Sequence, residues 1–81
     1  MSLVDTWLEA VHKQGVNTAQ AVRDMNAELG TAYSASRVGE WRTGPRTPHH
    51  VARRYMLRIA LAYLYPKMRK DARERLMENL L

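Results

Sequence analysis

Cysteine is absent from this 81-residue chain, which excludes disulfide bonds and thiolate metal sites and gives no indication of an oxidising compartment. A long apolar run is also missing. The longest nearly apolar stretch, residues 59–65, is far too short to cross a bilayer. The chain does not open with the basic segment and apolar run of a secretory signal. We therefore expect a cytoplasmic protein that makes no contact with membranes.

The residue combinations typical of catalysis are missing as well. The sequence contains no phosphate-binding glycine loop and no carboxylate cluster, and neither Ser34 nor Ser36 has a base and an acid suitably spaced to activate it. His49 and His50 are adjacent, so their rings point in different directions and cannot chelate a metal ion as an i, i+4 pair does. The sequence predicts no enzyme activity, no catalytic residue, no metal site, no cofactor and no small-molecule ligand.

Positive charge is concentrated in the middle of the chain. The net charge of +5 divides into −2 for residues 1–30, +5 for residues 31–60 and +2 for residues 61–81. All six cations of the middle third are arginine, whose guanidinium matches phosphates and guanine edges bidentately. Basic surfaces often serve only solubility, but this concentration favours a polyanionic partner.

Helical spacing of apolar residues extends along the chain, and no strand pattern or repeat interrupts it. We therefore predict an all-α fold, with five helices in a single domain covering residues 1–81. The boundary signals are capping boxes at residues 2–5 and 17–20, helix-ending glycines at Gly15, Gly30 and Gly44, an N-cap and first-turn proline for the fourth helix at Thr47 and Pro48, and a break at Pro66 before the fifth helix.

The third predicted helix, residues 34–42, is the most informative segment. Ser34 is a candidate N-cap, and Val38 and Trp41 are three residues apart, so both can enter a core from one side of the helix. The other side is then small, polar and basic. A short, well-capped helix with such an outward side suits the DNA major groove. The residues that face away from the core are Ala35, Ser36, Arg37 and Glu40.

The fourth helix is apolar in almost every direction, so it must be buried on more than one side. Five helices in 81 residues provide too little material to cover it fully, and we expect residues 49–81 to contribute the interface of a homodimer. The last helix supports this expectation with apolar residues at intervals of four. In the alternative, the fifth helix folds back and covers the fourth within one chain.

Residues 15–48 resemble the helix-turn-helix of the lambda-repressor-like family, the Cro and repressor proteins of phages and their bacterial relatives. The scaffold helix of that family ends as Leu29-Gly30 does, and its recognition helix has the pattern found here. Two features differ: the inter-helix turn is about two residues longer, and Asn26 stands where alanine is usual. The residues that match the recognition-helix pattern in order are Ser34, Val38, Trp41, Gly44, Arg46 and Pro48.

The resemblance implies a role for each residue on the outward side of the third helix. Ala35, Ser36 and Glu40 match positions that reach base edges in the family. Arg37 is adjacent to them and is the strongest candidate for a contact with guanine O6 and N7. Glu40 could accept a hydrogen bond from cytosine N4, or it could only hold Arg37 or Arg42 in an ion pair. Gly39 allows close approach of DNA or of a neighbouring helix, or it is a weakness that packing tolerates.

The resemblance also implies phosphate contacts around the base-reading helix. Arg42, Thr43 and Arg46 lie where family members grip phosphates at the end of this helix. Thr18 and Gln20 open the second helix, whose N-terminal amides and positive dipole end suit a phosphate oxygen. Arg53 and Arg54 are either further phosphate clamps or a solvated edge of the fourth helix.

Together these observations predict a sequence-specific regulator that binds double-stranded DNA as a homodimer. Its operator would be an inverted repeat, and the resemblance implies a repressor of phage or prophage type in a bacterial cell or phage-infected host. The alternative is a protein-interaction module of the same fold, such as a phage-encoded inhibitor of a host protein. A third option is an RNA-binding regulator.

Overall fold

The computed structural model describes residues 2–44 and 46–81. These residues form five α-helices joined by loops, and no strand occurs among them. They are α1 (Leu3–Lys13), α2 (Thr18–Leu29), α3 (Ala35–Thr43), α4 (His50–Leu64) and α5 (Lys70–Leu80). This confirms the prediction of an all-α chain with five helices. In the described part of the chain, no helix has the length and apolar character needed to span a membrane.

The first two helices start at the predicted caps. Ser2 and Asp5 form the full capping box, because the Ser2 hydroxyl accepts a hydrogen bond from the Asp5 amide and the Asp5 carboxylate accepts one from the Ser2 amide. At α2 only half of the predicted box forms. The Asn17 side chain accepts from the Gln20 amide, but the Gln20 side chain turns away and donates to Asp24.

The predicted start of α4 is wrong. Thr47 and Pro48 precede the helix, and its N-cap is His49, whose backbone is extended and whose side chain makes no cap hydrogen bond. The reason is a tertiary contact. The Nδ1 atom of His49 lies 3.1 Å from the Tyr33 hydroxyl, which holds His49 beside the α2–α3 turn and delays the start of the helix.

The main core gathers side chains from the first four helices around Trp7, which is fully buried. Helix α4 lies against α1 and α2, and the Trp7 and Tyr55 rings meet edge to face with centroids 6.3 Å apart. Helix α3 enters the same core through Val38 and Trp41. The position of α3 is therefore set by the packing of the whole domain.

Helix α5 folds back onto α4 within the chain, as the alternative for the fourth helix predicted. Leu57 and Leu61 of α4 pack with Met77 of α5 in a second apolar cluster. Arg54 and Glu78 form an ion pair of 2.7 Å across the same two helices. Intramolecular packing therefore covers much of the α4 surface assigned to a dimer interface. Large apolar residues of this region that remain exposed are Val51, Leu64, Tyr65 and Leu80.

Candidate functional site

Helix α3 has one buried side and one open side, as its sequence pattern predicts. Val38 and Trp41 face the core, and only 2% and 4% of their surfaces are accessible to solvent. Ala35, Ser36 and Glu40 are exposed, and Arg37 is half-buried. The side chains expected to read bases thus occupy one accessible edge, which we call the α3 edge: residues 35, 36, 37 and 40.

Both ends of α3 are closed by local hydrogen bonds. The Ser34 hydroxyl accepts from the Arg37 amide at 3.1 Å, which confirms Ser34 as the N-cap. Gly44 ends the helix with a φ of +106°, a conformation that side-chain-bearing residues rarely adopt, and its amide donates to the Glu40 carbonyl. The helix is one residue displaced from the predicted 34–42, because Ser34 is the cap and Thr43 is helical.

Asn26 holds the turn between α2 and α3. Its Nδ2 donates to the Tyr33 carbonyl at 2.9 Å, and its Oδ1 accepts from the Tyr33 amide and the Thr31 hydroxyl, each at 2.9 Å. One side chain therefore satisfies three polar groups of the turn, including both backbone groups of Tyr33. These bonds explain why asparagine, with its donor and its acceptor, occupies this position.

Tyr33 connects the turn to two further helices. Its ring meets that of Trp41 edge to face, with centroids 4.8 Å apart, and lies 5.7 Å from the ring of His49. The Tyr33 hydroxyl is within hydrogen-bond distance of His49. Tyr33 thus joins the turn, the inner side of α3 and the N-cap of α4.

The cations around α3 are paired with two carboxylates. Glu40 lies 3.9 Å from Arg37 and 3.6 Å from Arg46. Of the two ion pairs possible for Glu40, the one with Arg37 is present, whereas Arg42 pairs with Asp5. All of these pairs are partly exposed to solvent, so each contributes little to stability. A contact of Glu40 with a base stays a prediction.

Arg42 reaches from the last turn of α3 to the first turn of α1. Its Nε donates to the Asp5 Oδ1 at 2.6 Å. The hydrogen bond from the Ser2 hydroxyl, and secondly the one from Arg42, lowers the pKa of Asp5 below its ordinary value. Arg42 is still 59% exposed, so its guanidinium retains open donors for an anion.

The remaining predicted phosphate contacts have intramolecular partners. The Thr18 hydroxyl lies 3.1 Å from the Nε2 of His12, and the Gln20 side chain bonds Asp24 and Arg23. The Thr43 hydroxyl donates to the Gly39 carbonyl. These contacts orient the side chains without burying them: Thr18 is half-buried, and Gln20 and Thr43 are exposed.

Arg53 and Arg54 belong to the α4–α5 edge. The Arg53 guanidinium donates to the Leu80 carbonyl, and Arg54 pairs with Glu78. Both arginines are thus partly exposed at the edge of α4 with partners on or next to α5, and a contact of either with phosphate stays a prediction. Within residues 2–44 and 46–81, no group of three or more histidine or acidic side chains is placed to hold a metal ion.

The sequence does not predict the tertiary roles of Asp5, Asn26 and Tyr33 in this region. The capping box marks Asp5 for its local bond with Ser2, but its bond to Arg42 and the contacts of Tyr33 with Trp41 and His49 join residues distant in sequence. Asn26 carried a signal, since it stands four residues after the core residue Val22 and next to Met25, where a polar side chain needs a partner.

Comparison with protein-family models, with curated proteins and with solved structures finds no match to this chain.

Proposed function

We propose that this chain is a sequence-specific DNA-binding regulator of the lambda-repressor-like helix-turn-helix type, in which α3 is the recognition helix. The observation that carries the proposal is the orientation of α3. Val38 and Trp41 anchor it in the core, so its small, polar and arginine-bearing edge is left open. A major groove about 12 Å wide admits one α-helix, and small outward residues allow close approach.

Each part of this surface has a chemical task in the proposal. Arg37 donates to guanine, Ser36 bonds a base edge, and Ala35 contacts a thymine methyl group. Glu40 either accepts from cytosine or orients Arg37. The phosphate contacts come from the end of α3 and the start of α2, and they set the register of the protein on the duplex. They are Thr18, Gln20, Arg42, Thr43 and Arg46.

The proposed DNA-bound form is a homodimer. Exposed Val51, Leu64, Tyr65 and Leu80 supply apolar surface at the two ends of the α4–α5 layer for a second copy. Two recognition helices about 34 Å apart would enter successive major grooves of an inverted repeat. The proposed mode of regulation is occupancy of a promoter by a small cytoplasmic repressor, as in phage and prophage regulators.

One observation favours the protein-interaction alternative. The arginines 37, 42 and 46 already pair with Glu40 and Asp5, so the surface around α3 carries a net charge of only +1 from these five groups. A protein partner that itself carries both positive and negative groups can pair with a surface of mixed charge, whereas a uniformly basic surface would suit such a partner less well. DNA remains the better fit because no carboxylate other than Glu40 lies on the α3 edge itself.

Two charge-matched double variants test the proposal. The α3 variant, Arg42→Ala/Arg46→Ala, removes the two arginines expected to contact phosphates at the end of α3. The α5 variant, Arg69→Ala/Arg75→Ala, removes two exposed cations of the α5 region. Binding to a labelled random duplex pool is measured from about 50 to about 200 mM salt. We expect the α3 variant to lose most binding and the α5 variant to resemble wild type.

If both variants lose duplex binding equally, binding depends only on the net charge of the protein, and the proposal that α3 binds DNA is contradicted. Absence of duplex binding by the wild type at low salt would remove the DNA function and leave the protein-interaction alternative. Competition between a duplex and an RNA hairpin separates DNA from RNA. Sedimentation with and without duplex reports whether two copies bind together.

A further inference from the structure

We infer that Asn26 is the positioning residue that sets the orientation of α3 and thereby its discrimination between DNA sequences. The inference rests on the proposed function and deepens it, because Asn26 itself lies on α2, is half-buried and belongs to neither the α3 edge nor the phosphate-contact set. It acts through the turn.

The three hydrogen bonds of Asn26 fix the residue immediately before the N-cap of α3. Tyr33 has both its amide and its carbonyl bound to the Asn26 side chain, and Ser34 follows directly as the cap. The peptide that enters α3 is therefore tied to the last turns of α2. Of residues 31–33, which join the two helices, Thr31 has a backbone bond, from its amide to the Asn26 carbonyl at 3.1 Å, and the backbone of Tyr33 is bound by the Asn26 side chain.

The Tyr33 side chain extends this constraint to the other side of α3. Its ring is edge-on to Trp41 and its hydroxyl lies beside His49. Rotation about the turn would separate both contacts as well as the three bonds of Asn26. Asp5 and Arg42 hold the opposite end of the helix. Helix α3 is thus fixed at its start by Asn26 and at its end by Asp5.

Orientation matters more for base contacts than for phosphate contacts. A bidentate arginine–guanine contact requires donor–acceptor distances of about 2.7–3.2 Å in a fixed plane. A small tilt of α3 moves Arg37 out of that range, whereas flexible cations near the ends of helices still find a phosphate oxygen. Loss of the Asn26 bonds should therefore reduce specific binding much more than non-specific binding.

The test compares Asn26→Ala with Leu76→Ala, a variant that removes a half-buried leucine of α5 remote from the turn. The probes are the duplex that the wild type selects from a random pool and a scrambled duplex of equal length. For Asn26→Ala we expect the ratio of the two affinities to fall at least about tenfold, with less than about twofold change on the scrambled duplex. Leu76→Ala, measured at a temperature where both variants are folded, should keep the wild-type ratio.

Two further measurements separate positioning from a general loss of stability. Asn26→Asp keeps the acceptor for the Tyr33 amide and the Thr31 hydroxyl but loses the donor to the Tyr33 carbonyl, so its ratio should lie between those of wild type and Asn26→Ala. Amide hydrogen exchange at Tyr33 should accelerate in Asn26→Ala and not in Leu76→Ala.

The outcomes are distinguishable. If the wild type selects a sequence and Asn26→Ala keeps the full affinity ratio, or if the exchange of the Tyr33 amide is unchanged, the role of Asn26 is overturned and the proposed function stands. If the wild type selects no sequence, the proposed function fails and the role of Asn26 fails with it.

Discussion

The carboxylate of Asp5 lies 2.6 Å from the Nε of Arg42, which joins the first turn of α1 to the last turn of α3 across 37 positions of sequence. The same carboxylate closes the capping box with Ser2. One acidic side chain therefore supports the start of α1 and holds the cation expected to contact a phosphate. This relationship leads to the first two predictions.

Replacing Arg42 with alanine should weaken binding to every duplex by a similar factor. Because Arg42 is expected to neutralise one phosphate, the slope of log affinity against log salt should become shallower by about 0.9. Arg75→Ala, which removes an exposed arginine of α5, is the control. An unchanged salt slope in Arg42→Ala would remove this residue from the phosphate contacts.

Acidification should remove a stabilising contribution of Asp5. The folded state lowers the pKa of Asp5, so the carboxylate stabilises the fold at pH values above its unfolded pKa of about 3.9, and this contribution disappears as the pH falls through the lower folded pKa. We expect the melting temperature of Asp5→Asn to lie below that of wild type at pH 7. The two values should converge as the pH falls below both the unfolded and the folded pKa. A constant difference across this range would show that Asp5 acts without its charge.

Arg37→Ala should relax preference at a single base pair of each half-site and cost about 1–3 kcal/mol of binding free energy there. Its effect on folding should be small, because the pair with Glu40 is exposed and 3.9 Å long. Binding to a panel of single-base variants of the selected duplex checks this. Equal loss on the selected and the scrambled duplex would refute a base-reading role.

Gly39 within α3 and Gly44 directly after it should respond to alanine in opposite ways. A Cβ added at Gly39 meets no atom of the described residues within 4 Å, so Gly39→Ala should raise the free energy of unfolding by about 0.5–1 kcal/mol. Gly44 has a φ of +106°, which alanine adopts only with strain. Gly44→Ala should therefore lower the free energy of unfolding by about 1–2 kcal/mol. Urea denaturation of both variants checks the two signs.

Gly39 also tests close approach to DNA. Among residues 2–44 and 46–81, no neighbouring helix lies close enough to a side chain at position 39 to require glycine there. If Gly39→Ala is more stable yet binds duplex more weakly, DNA comes close to this position. If duplex binding is unchanged, Gly39 has no role in binding and only lowers the stability of the helix, a cost that packing tolerates.

Features that depend on residues three or four apart were predictable from the sequence. Ser2, Asn17 and Ser34 cap their helices, and Gly30 and Gly44 end theirs in the left-handed conformation. Each cap is a contact within one turn, so the sequence contains all of its chemistry. The inward direction of Val38 and Trp41 follows from the same helical period.

Features that depend on tertiary contacts were not predictable. Thr47 and Pro48 carry the local signal of a helix start, but Tyr33 holds His49 extended and α4 begins after it. Asp5 and Arg42 meet only because α1 and α3 pack together. The sequence favours a dimer interface over a return of α5 onto α4, because an apolar helix pattern does not reveal whether the residues that cover it come from the same chain.

Selection of bound duplexes from a random pool tests the central claim most directly, namely that the α3 edge reads base sequence. The account predicts a palindromic motif whose half-site centres lie one helical turn or a multiple of it apart, and a motif whose strongest position loses its preference in Arg37→Ala. Recovery of sequences without any common motif, from a chain that is folded and binds the pool, would contradict it.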